Sequence, residues 1–309
     1  MSKKLLKNSY IILAIGIIVF ELFHISKGRW SGDFWEHSAV VNELSKNLLH
    51  PKNPILNSNI SHAFYSPYAI IVALFSKITS LNSMQSLAFF SVFNLILFLI
   101  VFLKFCKALF KKNTSSLATI SLIFILFFWG FSPYKWSGFY HIYGLHHILA
   151  YPSTFAFILS LLALTIILNN LKQISYLKVA SILLLNTFIL ITHPTTALFL
   201  FVSIFSIFII NSNHNLRQKI KIVSALIIPS VILASLWPYF NFLSLFSGVG
   251  SNFHSDSLVL YSQVFIKYWP IAIIIISFSN IRKHMIVRFL IFTIILLLLV
   301  YSIGYLFKI

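Results

Sequence analysis

Ser66-Pro67-Tyr68-Ala69-Ile70-Ile71-Val72-Ala73-Leu74-Phe75-Ser76-Lys77-Ile78-Thr79 is the stretch on which the architecture turns. Serine before proline is a good N-cap, and proline's fixed φ suits the first helical position, so 67–79 reads as a helix. At about 1.5 Å per residue it reaches about 20 Å, short of the ~30 Å hydrocarbon core of a bilayer. If it crossed, Lys104, Lys107, Lys111 and Lys112 would emerge on the side opposite Lys3, Lys4 and Lys7. Short loops on the cytoplasmic side carry the excess of Lys and Arg. We therefore expect 67–79 to be interfacial or re-entrant, with all seven lysines inside.

Outward from this stretch, apolar runs approaching the length of a membrane span recur along the chain. They lie at about 8–24, 84–103, 116–132, 150–168, 177–192, 194–211, 220–239, 266–279 and 289–307. Only helices and closed barrels satisfy their backbone in lipid, and these runs lack the alternation of barrel strands. The fold class expected is all-α: a polytopic transmembrane bundle of about nine spans, with juxtamembrane helices in the first outer loop. The whole chain, 1–309, reads as a single multipass domain. Met1–Lys7 followed by Ile11–Phe20 could mimic a signal peptide, but no small-residue cleavage site follows, so a retained first helix is expected.

Composition agrees. Of 309 residues 59% are hydrophobic and 9% charged, where a soluble domain carries about 25% charged residues. A soluble enzyme could not cover its surface with so little charge, and disorder is excluded by the apolar content. One cysteine, Cys106, cannot form an internal disulfide. The net charge of +18 follows from orientation. Lys172 and Lys178, then Arg217, Lys219 and Lys221, then Arg282, Lys283 and Arg288 join the seven lysines, making fifteen basic residues on the expected cytoplasmic face. They are scattered over short loops, so nucleic acid is not an expected partner. The expected localisation is a cell membrane, with a cytoplasmic N-terminus and the hydrophilic loop 25–66 outside.

The chain has five acids: Glu21, Asp33, Glu36, Glu43 and Asp256. None falls in an expected cytoplasmic loop, and nine of the eleven histidines also lie at the outer face. The densest segment, Gly32-Asp33-Phe34-Trp35-Glu36-His37, starts a helix expected to run to about His50 before Pro51 stops it. Asp33 shares a face with both Glu36 and His37 at the i+3 and i+4 spacings. Phe34, Val41, Leu44 and Leu48 form an apolar stripe for packing on the bundle or the membrane surface. The bland account favours Asp33 as an N-cap, with Asp-x-x-Glu as a capping-box-like pair.

A first helix, an outer loop with an acid near its start, a juxtamembrane helix and then Phe64-Tyr65-Ser66-Pro67-Tyr68-Ala69-Ile70 leading into a short helix resembles the GT-C class of integral-membrane glycosyltransferases. The likeness is to the bacterial and archaeal branch related to protein mannosyltransferases, and covers roughly 8–112. It implies a polyprenyl-phosphate-linked sugar as donor, with transfer on the outer face to a glycan, lipid or protein acceptor among membrane lipid. It also implies that the first-loop acid is catalytic base or metal ligand. Many members place a second acid in a later outer loop, and 133–149 has none.

Within that resemblance Asp33 is the expected base, or with His37 a ligand of a divalent cation such as Mg or Mn, and Glu36 and His37 are its expected supports. Expected substrate-binding groups are Arg29 and Lys27 for phosphate, and Tyr65, Trp136, Tyr140, His141, His146 and His193 for sugar. The bland alternatives are headgroup anchors for the cations, an interfacial aromatic belt for the rings of 134–147, and a turn role for His193 before Pro194. His146 and His147 are adjacent, so on a helix they are not expected to face one another. Glu21, inside an apolar run, is a functional candidate or a snorkelling residue. The alternative functions are a transporter or flippase of lipid-linked sugars and a non-catalytic membrane subunit.

Overall fold

The structure is a computed structural model and describes residues 3–28, 30, 32–111, 114–127, 140–171, 174–210, 215–246 and 285–307. All regular structure among these residues is helical. The helices are α1 (Lys3–Ser26), α2 (Phe34–Lys46), α3 (Pro67–Thr79), α4 (Ser83–Phe110), α5 (Thr114–Phe127), α6 (Leu145–Ile148), α7 (Pro152–Asn169), α8 (Tyr176–Thr192), α9 (Pro194–Ile210), α10 (Leu216–Ser235) and α11 (Met285–Phe307). A 3-10 turn, Phe242–Phe246, follows α10. The expected span at 266–279 lies outside the described residues.

Local sequence accounts for the helix starts. Ser66 accepts the Ala69 N–H, with Pro67 in the first turn of α3. Asn82 with Gln85, and Asn215 with Gln218, form complete capping boxes on α4 and α10. Gly28, at φ +60°, takes the chain out of α1 in a left-handed conformation that a residue without Cβ adopts at little cost. Against expectation α2 stops at Lys46, with Asn47 as C-cap, rather than at His50. A helix that started at Phe34 has by then buried Phe34, Val40, Val41 and Leu44, and Asn47 Oδ1 takes the His50 N–H in a local turn.

Among the described residues four helices are long and apolar enough to cross a membrane: Asn8–Ser26 within α1, then α4, α7 and α10. Helices α3, α5, α8, α9 and α11 are apolar but shorter in their described apolar parts. Outward faces carry apolar stripes at helical spacing: Ile11, Ile15, Val19 and Phe23 on α1, Phe89, Phe93, Ile96 and Ile100 on α4, and Ile228 and Ile232 on α10. Water would be a poor solvent for such stripes, whereas lipid suits them. Inside, α7 is apolar nearly all round and serves both core clusters. Ile158 and Leu161 join one formed with α1 to α5, and Ala163, Leu164 and Ile167 join one formed with α8 to α10.

The connections define two ends. α7 leaves the cavity described below at Pro152, α8 returns to it at Thr192, and α9 leaves it again at Pro194. α10 comes back, so that the indole N–H of Trp237 donates to Tyr65 O at 2.9 Å. α3 starts at this end with Ser66, and α4 also starts here, since Ser83 and Ser38 share a hydrogen bond of 2.8 Å. Helices α3 and α4 therefore both start toward this end. Glu21, Asp33, Glu36 and Glu43 all lie toward this end. At the opposite end Lys219 Nζ donates to Ile209 O at 2.7 Å and Lys178 meets Asn170.

Candidate functional site

Asp33 precedes α2 in the N-cap position, where its carbonyl accepts the His37 N–H at 3.0 Å. Its carboxylate makes no cap hydrogen bond, which corrects the expectation of a capping aspartate. The reason is tertiary. The backbone N–H groups of Phe34 and Asp33 meet the hydroxyl of Tyr151, a residue far along the chain at the start of α7. Gly32, at φ +61°, lets the loop pass close by, and a Cβ there would lie 3.6 Å from Tyr151 Oη. Tyr151 thus serves the helix start and leaves the Asp33 carboxylate to face a cavity.

That cavity is about 100 Å³. It admits a reacting hydroxyl or part of a sugar ring rather than a whole lipid-linked donor. Asp33 and His37 line it from α2, Phe64 and Ser66 from the approach to α3. Tyr151, Pro152 and Ser153 line it from α7, and Thr192 and His193 from the α8–α9 turn. Loops separated by more than 150 residues of sequence converge, so segments of the first loop, the start of α7 and the α8–α9 turn meet in space.

Burial sets the charge states. His37 is 8% exposed, its ring 4.8 Å from that of Phe64 and 5.0 Å from that of Tyr151. Burial, then the neighbouring His62 and His193, push its pKa down to about 4. Burial likewise lowers His193 to about 4. His193 Nδ1 is engaged by the Thr196 and Thr195 hydroxyls at 2.7 and 3.0 Å. Both rings are therefore neutral at pH 7, and Asp33 supplies the one carboxylate of the lining among the described residues.

Glu36 turns away from the cavity to His62, with Oε1 3.2 Å from Nε2. The Phe64 N–H donates to His62 Nδ1 at 3.3 Å, so the neutral ring carries its proton on Nε2 and donates it to Glu36. Burial, and then the charge of Asp33, raise the Glu36 pKa, while burial lowers that of His62. The contact is thus a hydrogen bond more than an ion pair.

The α6–α7 corner that presents Tyr151 is itself clamped. The Tyr68 hydroxyl donates to Ala150 O at 2.8 Å, and Asn94 Nδ2 donates to Leu149 O at 2.7 Å and to Tyr68 Oη at 3.1 Å. Thr154 Oγ1 donates to Ile148 O at 2.7 Å. Buried bonds of this kind are costly to leave unmade.

Of the expected site residues, Asp33, His37 and His193 come together, and Arg29 and Trp136 lie outside the described residues. Lys27 is exposed, its ammonium 4.7 Å from the centroid of the Phe23 ring. Tyr65 is buried and donates to Lys52 O. Tyr140 sits in the core against Phe98 at 4.9 Å, and His141 is buried, its Nδ1 receiving the Tyr143 N–H at 3.3 Å. His146 belongs to a second cluster. It stacks on His24 at 4.8 Å with Nδ1 3.7 Å from the fully buried Glu21. The rings of His146 and His147 meet at 4.0 Å, contrary to the expectation from helical spacing, because α6 is a single turn.

Sequence reasoning passed over Tyr151, Ser153 and Thr192. A signal existed. Pro67, Pro152 and Pro194 each open a helix that faces the cavity, so Tyr-Pro-Ser at 151–153 and Thr-His-Pro at 192–194 mark the same kind of helix start as Tyr-Ser-Pro at 65–67.

No family model, curated protein or solved structure matches the chain. For a divalent cation, Asp33 and His37 offer two donors. Among the described residues no group of three or more His, Cys, Asp or Glu is arranged to hold a metal ion. The donors present fit a metal poorly, since magnesium or manganese would need the rest of its shell from water or substrate.

Proposed function

We propose that the chain is an integral-membrane glycosyltransferase of the GT-C kind, transferring a sugar from a polyprenyl-phosphate carrier to an acceptor hydroxyl. The observation that carries this reading is the Asp33 carboxylate, released from capping by Tyr151 and facing a cavity at the acid-bearing end of an apolar bundle. In the proposed reaction an Asp33 oxygen takes the proton of the acceptor hydroxyl. The acceptor oxygen bonds to the anomeric carbon, the bond from that carbon to the phosphate oxygen breaks, and its electron pair leaves with the polyprenyl phosphate. A positioned base of this type contributes about 10²–10⁴-fold in rate. Neutral His37 and His193 act as hydrogen-bonding partners of substrate hydroxyls. Glu36, held by His62, supports the first turn of α2.

The same reading has about nine crossing helices, a cytoplasmic N-terminus and the cavity outside a cell membrane. The separation of acids from the Lys178 and Lys219 end supports it. Reporter fusions at Lys111 and Ser137 test it: Lys111 is expected inside and Ser137 outside, and an external Lys111 overturns it. For the activity, Asp33→Asn is expected to abolish glycan or glycolipid product while expression and topology stay normal. Unchanged product would leave a flippase or a non-catalytic subunit as the better account.

A further inference from the structure

The loop between α2 and α3 is fixed from inside by its own hydrogen bonds. Asn53, 6% exposed, organises it. Its Oδ1 accepts the Ile55 and Leu56 N–H groups at 3.0 Å each, its N–H donates to Ser58 O at 2.7 Å, and its carbonyl accepts the Asn57 N–H at 2.8 Å. Asn57, at φ +47°, holds the left-handed conformation that asparagine tolerates. Glu43 Oε1 takes the Lys52 N–H at 3.0 Å, and the Tyr65 hydroxyl donates to Lys52 O. On this held frame Leu49, Ile55, Leu56 and Ile60 are between 59% and 77% exposed. Single exposed aliphatics are ordinary on a protein surface, but a group of them marks a contact. Lys46, Lys52, Asn57 and Asn59 are exposed among them. A surface that mixes aliphatic, amide and ammonium groups suits the boundary between water and hydrocarbon.

The place of the loop says what meets that surface. Both of its ends are pinned to the end of α10. The Tyr239 hydroxyl donates to Leu48 O at 2.8 Å, and the Trp237 indole N–H donates to Tyr65 O at 2.9 Å. Helix α10 has 20 residues, about 30 Å at 1.5 Å per residue, which is the thickness of a bilayer's hydrocarbon core. Its exposed stripe of Ile228, Ile232 and Leu236 keeps the i+4 spacing to the last turn, where Leu236 is 72% exposed. The Trp237 N–H still bonds Ala234 O at 3.1 Å, so the pinning side chains leave from the helix end itself. Tryptophan and tyrosine at the end of a lipid-facing stripe mark the level of the headgroups. The loop therefore continues the surface that α10 offers to lipid. Its two exposed lysines complement lipid phosphates.

We propose that the loop 48–60 docks on the surface of the bilayer that α10 crosses, with Leu49, Ile55, Leu56 and Ile60 set into the boundary between headgroups and acyl chains. Phe64 and Ser66, on either side of Tyr65, line the cavity. Through Tyr65 the docked loop holds the rim of the cavity at a fixed height against the lipid. This docking stands apart from the reaction proposed above: it needs the membrane and not Asp33, and a flippase or a non-catalytic subunit would carry it equally.

The chain's single cysteine, Cys106, is buried, so a cysteine placed on the loop takes a fluorophore selectively in the full chain. Leu56→Cys and Ile60→Cys, each labelled with NBD, are compared in nanodiscs of phosphatidylcholine and phosphatidylglycerol with Ile228→Cys on the α10 stripe. Three quenchers report depth: a lipid with its nitroxide near the headgroup, one with its nitroxide near the chain end, and iodide in the water. Both loop labels are expected to lose more emission to the shallow nitroxide than to the deep one, and little to iodide. The Ile228 label is expected to show the reverse order of the two nitroxides. Quenching by iodide without quenching by the shallow nitroxide, at either loop site, places the loop in water and overturns the proposal. Protection from all three quenchers means that protein covers the face, a second copy or another chain, and overturns it too. Leu49→Ser with Ile55→Ser, in the Leu56→Cys chain, is expected to shift quenching from the shallow nitroxide to iodide. A label that stays lipid-quenched there overturns the role given to the aliphatic side chains.

Discussion

Asp33 and Glu21 each stand near imidazoles, and they differ in what surrounds the acid. Asp33 stands at a helix start, beside His37 and His193, with a cavity before it and three further helix starts around it. Glu21 stands inside α1, fully buried, near His146 and the stacked His24. Phe20 packs on His24 at 4.6 Å and on Tyr143 at 6.4 Å, walling in that cluster. The backbone N–H and the ring of His146 are the polar neighbours of Glu21. The first arrangement offers a substrate room and a favourable field; the second offers an acid without access. Accessibility and backbone dipoles, more than the pairing of acid with imidazole, distinguish a reactive carboxylate from an enclosed one.

The largest expected effect tests that contrast directly. Asp33→Asn is expected to lower transfer by about 10²-fold or more, whereas Glu21→Gln leaves it within about twofold of wild type, both read as product formed in membranes. The reverse order would move the active site to the α1–α6 cluster.

Acid titration is next in size. His37 and His193 have folded pKa values depressed to about 4 from a free value of about 6.5, so the unfolded chain takes up protons first. Stability is intact above about pH 6.5 and falls as pH drops toward about 4, by roughly 3 kcal/mol for each ring at the low end. Melting in detergent between pH 7 and pH 4 measures it, and His37→Phe is expected to remove about half of the fall. An equal acid sensitivity in that variant would assign the effect to other groups.

Replacing the enclosed acid is a smaller change. Glu21→Leu is expected to change stability by no more than about 1 kcal/mol, because relief from burying an acid is offset by the loss of the acceptor for the His146 backbone N–H. A marked drop in melting temperature would show that the His146 contact is stabilising. Smallest is Gly32→Ala, expected to cost about 1 kcal/mol, since φ +61° is unfavourable for a residue with a Cβ. A Cβ meets Tyr151 Oη only at 3.6 Å, so backbone strain and not collision sets the cost, and transfer is expected to persist in the folded fraction.

Much of the architecture was legible because it rests on local, additive signals. Helix starts at Ser66-Pro67, Asn82 and Asn215 carry their caps within three residues, and apolar runs declare helices wherever they fall. The helical nature and short reach of 67–79 were both readable from its length and from the lysines that follow it. The site was legible in part. Asp33 and His37 are one turn apart, and the placement of His193 at their end of the bundle follows from counting helices. Ser153 and Thr192 were not, since a serine or threonine in an apolar helix ordinarily bonds the carbonyl one turn back and carries no mark of lining a cavity. Tyr65 was expected to bind substrate and Tyr140 to stack on sugar; the structure buries both, and burial depends on which helices pack against them.

By itself the sequence determined that this chain is a set of apolar helices with four of its five acids gathered in and just after the first of them, since hydrophobic length and charge distribution are properties of segments. Only the tertiary structure decided which acid is exposed to a partner. The local pattern made Asp33 a cap for its own helix. The hydroxyl of Tyr151, delivered by α7 and clamped by Tyr68 and Asn94, met that need instead and left the carboxylate to the cavity. Capping demand is local and can be read along the chain. The group that answers it is whichever donor or acceptor packing brings within reach, and that is settled across the bundle.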